Sequence, residues 1–507
     1  MNSDLTIKKK KARYNIETAL IFQLVTMVCG IITPRLLLGA FGSEIYGACS
    51  SITQFLAYIA LIEGGVSGVA RAALYKPLSQ NDGKQIGKVL NEIKYFFRII
   101  GTIFVVYVII IACSFKTISN ITCLNWISTF ALVLVISIST FAQYFIGISN
   151  AVLIQADQKS YVTNIISTCT TIINCLLVVV LVVLGANIIV VKLMSSVVFA
   201  MKPVAQWLYV KRKYSIVKTR EKDSTALEQK WTAFGQHIAY FLHSNTDVMV
   251  LTIFSGLKTV SVYSVYYMII SAVQGICTSF STGMEAFFGS LYAEKQKEEL
   301  LRTFDFYETL ISFVAITLFS ITAVLITPFV QIYTRGIVDA NYYQPLFGIL
   351  LLSASILYCM RQPYHSMVMA AGHFRQTKIA AYGEAILNIT ISIILVKVLG
   401  LPGVAIGTIA ATAFRMIYYV MYLQKNIISR SVSYFVKRFV VNVLSFSSVF
   451  VVGNCVLNYL PCNDYFQWII VACIVTVMAL GINLLTTGVF YPNHFKPIIS
   501  KVFRIKK

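Results

Sequence analysis

Fourteen apolar runs of 20 to 30 residues succeed one another along the 507-residue chain, parted by short polar connectors. At a rise of about 1.5 Å per residue, each run as a helix crosses the roughly 30 Å hydrocarbon layer of a bilayer. Such a chain is expected to be an all-α, polytopic membrane protein whose backbone hydrogen bonds close within each helix. Six runs precede residues 211–230, six follow, and two more come after a basic loop. The expected organisation is a six-helix bundle (1–210), a cytoplasmic linker (211–230), a second six-helix bundle (231–425), and two additional helices with a basic cytoplasmic tail (426–507).

Composition removes other classes. Only 12% of residues are charged and 57% are apolar, against about 25% charged in an average soluble domain, so the surface is too apolar for water. The net charge of +22 does not mark a nucleic-acid protein, because the aromatics lie inside or at the ends of apolar runs and not across an exposed basic face. Eleven cysteines include no CxxC pair, and most sit within runs, where a thiol behaves as a small hydrophobe. His237, His243, His365, His373 and His494 show no metal-ligand spacing, and there is no phosphate-binding G-x-x-x-x-G-K-S/T loop. With outer connectors of no more than about ten residues, neither a cofactor nor an enzyme domain is expected.

The polar stretch Lys211 to Lys230 holds seven basic and three acidic residues. Basic connectors stay on the cytoplasmic side of a membrane. With the N-terminus inside, the inner segments hold 33 of the 42 Lys and Arg, and the outer connectors only Lys116, Lys258 and Arg335. An even number of crossings then returns the C-terminus to the cytoplasm.

The two blocks of six also match each other at a separation of about 215 residues. Tyr46 corresponds to Tyr263; Ala156, Thr163, Asn174 and Leu181 correspond to Ala370, Thr377, Asn388 and Leu395; Lys202, Tyr209 and Arg212 correspond to Arg415, Tyr422 and Lys425. This ordered succession points to a duplication, and because six is even, to parallel repeats that enter the membrane in the same sense.

A charge at the bilayer centre costs at least about 2.5 to 3.5 kcal/mol, so it must meet a watery cavity or a partner. The cations within runs are Arg35, Lys192, Lys202, Arg361, Lys397 and Arg415, and the acids at membrane depth or its edge are Glu17, Glu63, Asp247, Glu285 and Glu384. Arg35, Lys192 and Lys397 fall near outer ends, where long side chains snorkel to water. Lys202, Arg361 and Arg415 lie several turns from either end, and the duplication makes Lys202 and Arg415 equivalent. Two readings are open for that pair: lining a central cavity, or structural ion pairing with Glu63, Asp247 or Glu384. A fixed cation in a low-dielectric cavity attracts phosphate, and a guanidinium offers paired donors to a diphosphate, so an anionic cargo is expected. Asp247 is the best-placed acid for a proton or sodium role, followed by Glu63.

The segment Pro34-Arg35-Leu36-Leu37-Leu38-Gly39, continued by Phe41-Gly42-Ser43-Glu44-Ile45-Tyr46-Gly47, joins Asn245-Thr246-Asp247, Val260-Ser261-Val262-Tyr263 and the Ala156 to Tyr161 loop in one pattern. Over its whole length the chain thereby resembles the multidrug/oligosaccharidyl-lipid/polysaccharide (MOP) exporter superfamily, and within it the flippases for undecaprenyl-diphosphate-linked O-antigen or capsule repeat units. The resemblance implies two six-helix bundles around a cationic central cavity, passing a lipid-linked sugar from the inner to the outer leaflet of a bacterial cell membrane by alternating access. Fourteen spans suit the polysaccharide branches, whereas the drug and cation antiporters usually have twelve. The resemblance implies Lys202, Arg361, Arg415 and Arg35 as holders of the diphosphate. Its implied partners are the polyprenyl-diphosphate-linked oligosaccharide, membrane lipids, a polysaccharide polymerase and glycosyltransferases. The alternative within the superfamily is an ion-coupled exporter of small molecules, with Asp247, Glu63 or Glu17 carrying the coupling ion; Glu17 is the acid nearest to a first-span aspartate found in part of the antiporter branch.

Overall fold

A computed structural model describes residues 2–63, 66–217, 219, 221–223, 227, 234–279, 281–373, 375–460 and 462–492. The basic tail with His494, the remainder of the 211–230 linker, and the side chains of His237 and His243 lie outside the described residues. All regular structure among the described residues is helical. The chain forms two compact units, Met1–Ser261 and Val262–Lys507.

The first unit begins with α1 (Asn2–Ala57), α2 (Ala60–Glu63), α3 (Val66–Ser79) and α4 (Gly83–Ser119). It continues with α5 (Trp126–Ala142), α6 (Ile148–Ala156), α7 (Ser160–Val183), α8 (Ile188–Lys213) and α9 (Phe234–Phe254). The stretch Arg13–Glu63 is 51 residues long, about 77 Å as one straight helix, which no bilayer accommodates in a single crossing. Gly42 divides it, with φ 78° and ψ 174°, a conformation essentially restricted to glycine. Just beyond the break, Glu44 Oε1 accepts hydrogen bonds from the Thr122 backbone N–H at 2.5 Å and the Thr122 hydroxyl at 2.9 Å, which ties it to the connector between α4 and α5.

Among the described residues twelve helices are long and apolar enough to cross a membrane. The stretch divided at Gly42 is long enough for two of the expected crossings, and α9 has 21 residues, of which Asn245–Phe254 forms a shorter apolar helix. The chain is an all-α, multi-pass membrane protein.

At the other end of the first unit, Asp157 gathers three segments. Its carboxylate accepts from Lys11 Nζ at 3.0 Å, Lys159 Nζ at 2.6 Å and the Tyr214 hydroxyl at 2.7 Å. Asn15 adds a bond to the Gln158 carbonyl at 2.9 Å and accepts from the Tyr161 N–H at 2.7 Å, binding α1 to the start of α7.

Past Tyr214 several described residues are tied to α4. The Val217 N–H donates to the Gly83 carbonyl at 3.2 Å, and Asn91 Nδ2 donates to the carbonyls of Thr219 at 2.6 Å and Glu221 at 3.2 Å. Lys88 pairs with Glu221 at 2.5 Å, and Gln85 donates to Asp223 at 2.7 Å. The strap therefore lies along one face of α4 marked by positions 83, 87 and 91, the i, i+4, i+8 stripe of a helix. Glycine is required there: a Cβ at Gly83 would stand 2.3 Å from the Ser215 carbonyl oxygen, and one at Gly87 2.5 Å from that of Val217.

The chain passes into the second unit through α10 (Leu257–Ser279), followed by α11 (Ser281–Ala293), α12 (Lys297–Tyr333), α13 (Pro345–Ala370), α14 (Lys378–Leu399), α15 (Leu401–Asn426), α16 (Val432–Tyr459) and α17 (Tyr465–Phe490). Its axis is α12, whose most apolar window is 72% buried and which packs against α11, α13, α16 and α17. The duplication is visible in helix lengths. Helices α4 and α12 both have 37 residues, with both ends displaced by 214 positions, and α8 and α15 both have 26, displaced by 213.

Candidate functional site

Two groups of polar residues lie within the spans, one in each unit, and they differ in how their charges are settled. In the first unit, α2, α3, α5, α6 and α8 line a cavity of about 460 Å³. Glu63 and Lys202 both border it, with Gln143, Tyr144, Gln155 and Ser67 among the other polar side chains. Ser67 donates to Glu63 at 2.6 Å, and the Tyr144 hydroxyl also faces Glu63. Behind the wall, Arg71 donates to Gln155 at 3.4 Å.

The position of Gln143 and Tyr144 depends on a local irregularity. Residues Gln143–Gly147 form a single π turn between α5 and α6, and the Ile148 N–H bonds to the Gln143 carbonyl five residues back. A π turn adds one residue to a helix and rotates the next turns about the axis, and such turns recur at functional positions. Among the described residues Lys202 has no carboxylate in salt-bridge range. Lys202 therefore borders the polar cavity without a salt-bridge partner and shares that cavity with Glu63.

In the second unit Arg361 and Arg415, within the spans, are paired with a carboxylate. Glu384 on α14 is fully buried and shared: one oxygen pairs with Arg361 of α13 and the other with Arg415 of α15. Arg415 also donates to the Tyr419 hydroxyl from Nη2 at 2.9 Å and from Nε at 3.2 Å, and His365 Nδ1 lies 3.3 Å from the same hydroxyl. Arg361 lies over the Tyr358 ring at 4.8 Å. With two guanidiniums on one carboxylate the triad keeps one unit of positive charge. Arg415 thus has the Glu384 partner that pairing reasoning offers, while its equivalent Lys202 faces a cavity.

The remaining candidates are dispersed. Arg35 is half-buried, with its guanidinium beside Gly39. Glu17 is exposed and paired with Arg13 at 2.6 Å. Asp247 is buried on α9, next to a set of contacts with the second part of α1: Gln54 donates to Asn245 at 2.8 Å, and Ser51 and Thr252 share a hydrogen bond of 2.7 Å.

Sequence reasoning missed Gln143, Tyr144, Ser67 and Gln155 in the cavity wall; the available signal was an amide at 143 inside an otherwise apolar run. It also missed Glu308. That carboxylate accepts from Tyr364, pairs with Arg430 at 2.8 Å and Arg438 at 3.5 Å, and Arg430 reaches Asp305 at 3.2 Å. In the linear sequence Arg430 and Arg438 read only as topology-setting charges, and the i, i+3 spacing of Asp305 and Glu308 is the clue to their partners.

Compared with solved structures, the chain superposes on the lipid II flippase MurJ in an inward closed conformation with a TM-score of 0.71, at 13% identity, over 94% of this chain and 99% of that one. The fold is that of the MOP exporters. An inward-facing multidrug resistance transporter of the MATE family within the MOP superfamily gives a TM-score of 0.59 at 14% identity, over 80% of this chain and 98% of that one. The MATE multidrug transporter DinF-BH gives 0.60 at 16% identity, over 82% of this chain and 95% of that one. No family model matches the sequence, and no curated protein matches it. The two helices α16 and α17 belong here to the same compact unit as α12.

Proposed function

We propose that this MOP-fold protein is a flippase that moves undecaprenyl-diphosphate-linked oligosaccharide repeat units from the inner to the outer leaflet by alternating access, supplying surface polysaccharide synthesis. In this reading it resides in the bacterial cell membrane with both termini cytoplasmic, downstream of glycosyltransferases and upstream of a polymerase. The observation that carries it is Lys202: an unpaired cation on the wall of a polar cavity at membrane depth. Such a charge is expensive unless an anion visits it. Arg361 and Arg415 support the same cargo through the residual positive charge of their triad, and Arg35 is a fourth cation for the diphosphate. Coverage of the chain also supports it. MurJ overlaps 94% and the two MATE transporters 80% and 82%; the difference is close to the share of the chain, about a sixth, that lies beyond residue 425.

The second reading, an ion-coupled exporter of small molecules, rests on the buried Asp247 beside the polar α1–α9 contacts, with Glu63 and Glu17 as further coupling candidates. Replacing Lys202 by Gln, alone and together with Arg415→Gln, decides between them. Loss of surface polysaccharide at normal protein level is the expected result. Intact polysaccharide accompanied by new drug sensitivity refutes the flippase.

A further inference from the structure

We propose that Gln206 is a positioning residue for Lys202: without cargo the ammonium rests on the Gln206 side-chain oxygen, and an anionic headgroup draws it from there into the first unit's cavity. This rests on the flippase reading and adds to it what Lys202 exchanges for its cargo. Gln206 lies one turn beyond Lys202 on α8 and is fully buried, yet neither its amide nitrogen nor its amide oxygen has a hydrogen-bond partner among the described residues. A buried amide without partners is costly, so a group able to reach it is expected. Side chains four apart on a helix share a face, with Cβ atoms about 5–6 Å apart, and each leans toward the helix N-terminus. Gln206 therefore leans over the turn that carries Lys202, and its oxygen can accept from an ammonium.

The second unit shows the equivalent pair engaged. At a separation of 213 residues, Lys202 and Gln206 correspond to Arg415 and Tyr419, and Arg415 donates to the Tyr419 hydroxyl at 2.9 Å and 3.2 Å. The carboxylate that completes the setting of Arg415 has no counterpart. At a separation of 214, Glu384 corresponds to Thr170 on α7, whose hydroxyl donates to the Ile166 and Ser167 carbonyls of its own helix, each at 3.0 Å. Of the two positions that bind Arg415 in the second unit, the first unit thus keeps a free polar group only at 206. With Lys202 bordering the cavity, the Gln206 amide is left without a partner. The ammonium serves either the amide or an anion, so the side chain at 206 sets how readily Lys202 is released to a headgroup.

The test measures binding of undecaprenyl diphosphate to the full-length purified protein by native mass spectrometry. Gln206→Leu removes the resting partner, and its affinity is expected to rise about tenfold above wild type; Gln206→Glu gives Lys202 a carboxylate such as Arg415 has, and its affinity is expected to fall about tenfold. Gln206→Met takes the place of Gln206→Leu should that variant fail to fold. With Lys202→Gln in place, the gain from Gln206→Leu is expected to vanish, since no ammonium is left to release. A residue that only packs gives no opposite signs in the two variants and acts alike with or without Lys202. Unchanged affinity in either folded variant, changes of the same sign in both, or a gain that persists in the Lys202→Gln background overturns the role of Gln206 alone. A wild type that does not bind undecaprenyl diphosphate overturns the flippase reading and this role with it.

Discussion

Lys202 and Arg415 each occupy the fifteenth position of a 26-residue helix, and only Arg415 has a carboxylate. Two equivalent helix positions therefore have different environments, a cavity wall in the first unit and a buried ion triad in the second. Arg415 is tied to a carboxylate and Lys202 is not.

The triad predicts a large stability effect at Glu384. Glu384→Gln leaves two buried guanidiniums facing each other without their shared counter-charge, a loss expected to be about 3–5 kcal/mol. It is read as a lower thermal midpoint of the detergent-purified protein. Replacing Arg361, Glu384 and Arg415 together by Leu restores most of the midpoint, because no unpaired charge then remains. Transport by that triple variant shows whether the two arginines serve the cargo as well.

Asp157 predicts an acid-sensitive joint. Burial alone raises its pKa, but hydrogen bonds from Lys159, Tyr214 and Lys11 outweigh burial and hold it below the ordinary 3.8. A carboxylate lowered in the folded state contributes stability above its ordinary pKa and loses it as the pH falls through the lowered value. Thermal midpoints measured between pH 7 and pH 3 are expected to fall for the wild type over the acid end of that range. Asp157→Asn is expected to start lower at pH 7 and to decline less over the same interval.

The strap along α4 predicts a protease-sensitive variant. A side chain at Gly87 collides with the Val217 carbonyl, and Asn91→Ala removes two hydrogen bonds to the strap backbone. At about 0.5–1.5 kcal/mol per hydrogen bond, Asn91→Ala is expected to raise strap opening about tenfold. Limited trypsin cleavage at Lys222, compared between Gly87→Leu, Asn91→Ala and wild type, measures it. Equal cleavage rates in all three proteins contradict the docked strap.

Gly42 predicts a backbone effect. Its φ of 78° and ψ of 174° lie where other residues pay about 1–3 kcal/mol, so Gly42→Ala is expected to lower the thermal midpoint, while Gly30→Ala, which meets nothing within 4 Å, serves as the control.

Hydropathy made the helices legible because the bilayer imposes one length on every crossing. The equal lengths of α4 and α12 agree with the repeat near 215 residues, whereas the break at Gly42 lies in a segment that the linear sequence singled out as part of a resemblance motif. The choice of partner for each charge was not legible. Glu384 and Lys202 look alike in the sequence as lone charges in apolar runs, and only helix packing puts two arginines against the first and none of the described carboxylates against the second. The π turn at Gln143–Gly147 was not read from the linear sequence either.

The docked strap also bears on the order in which the protein is made. Asn91 waits for Thr219, 128 residues further along, so the start of α4 stays unlatched until α8 has been synthesised and has emerged on the same face of the membrane as α4 began. A chain in which any crossing between them has been skipped delivers residues 215–223 to the opposite face, where Gly83, Gly87 and Asn91 are out of reach. Contact between this segment and Asn91 thus requires an even number of crossings between Gly83 and Tyr214.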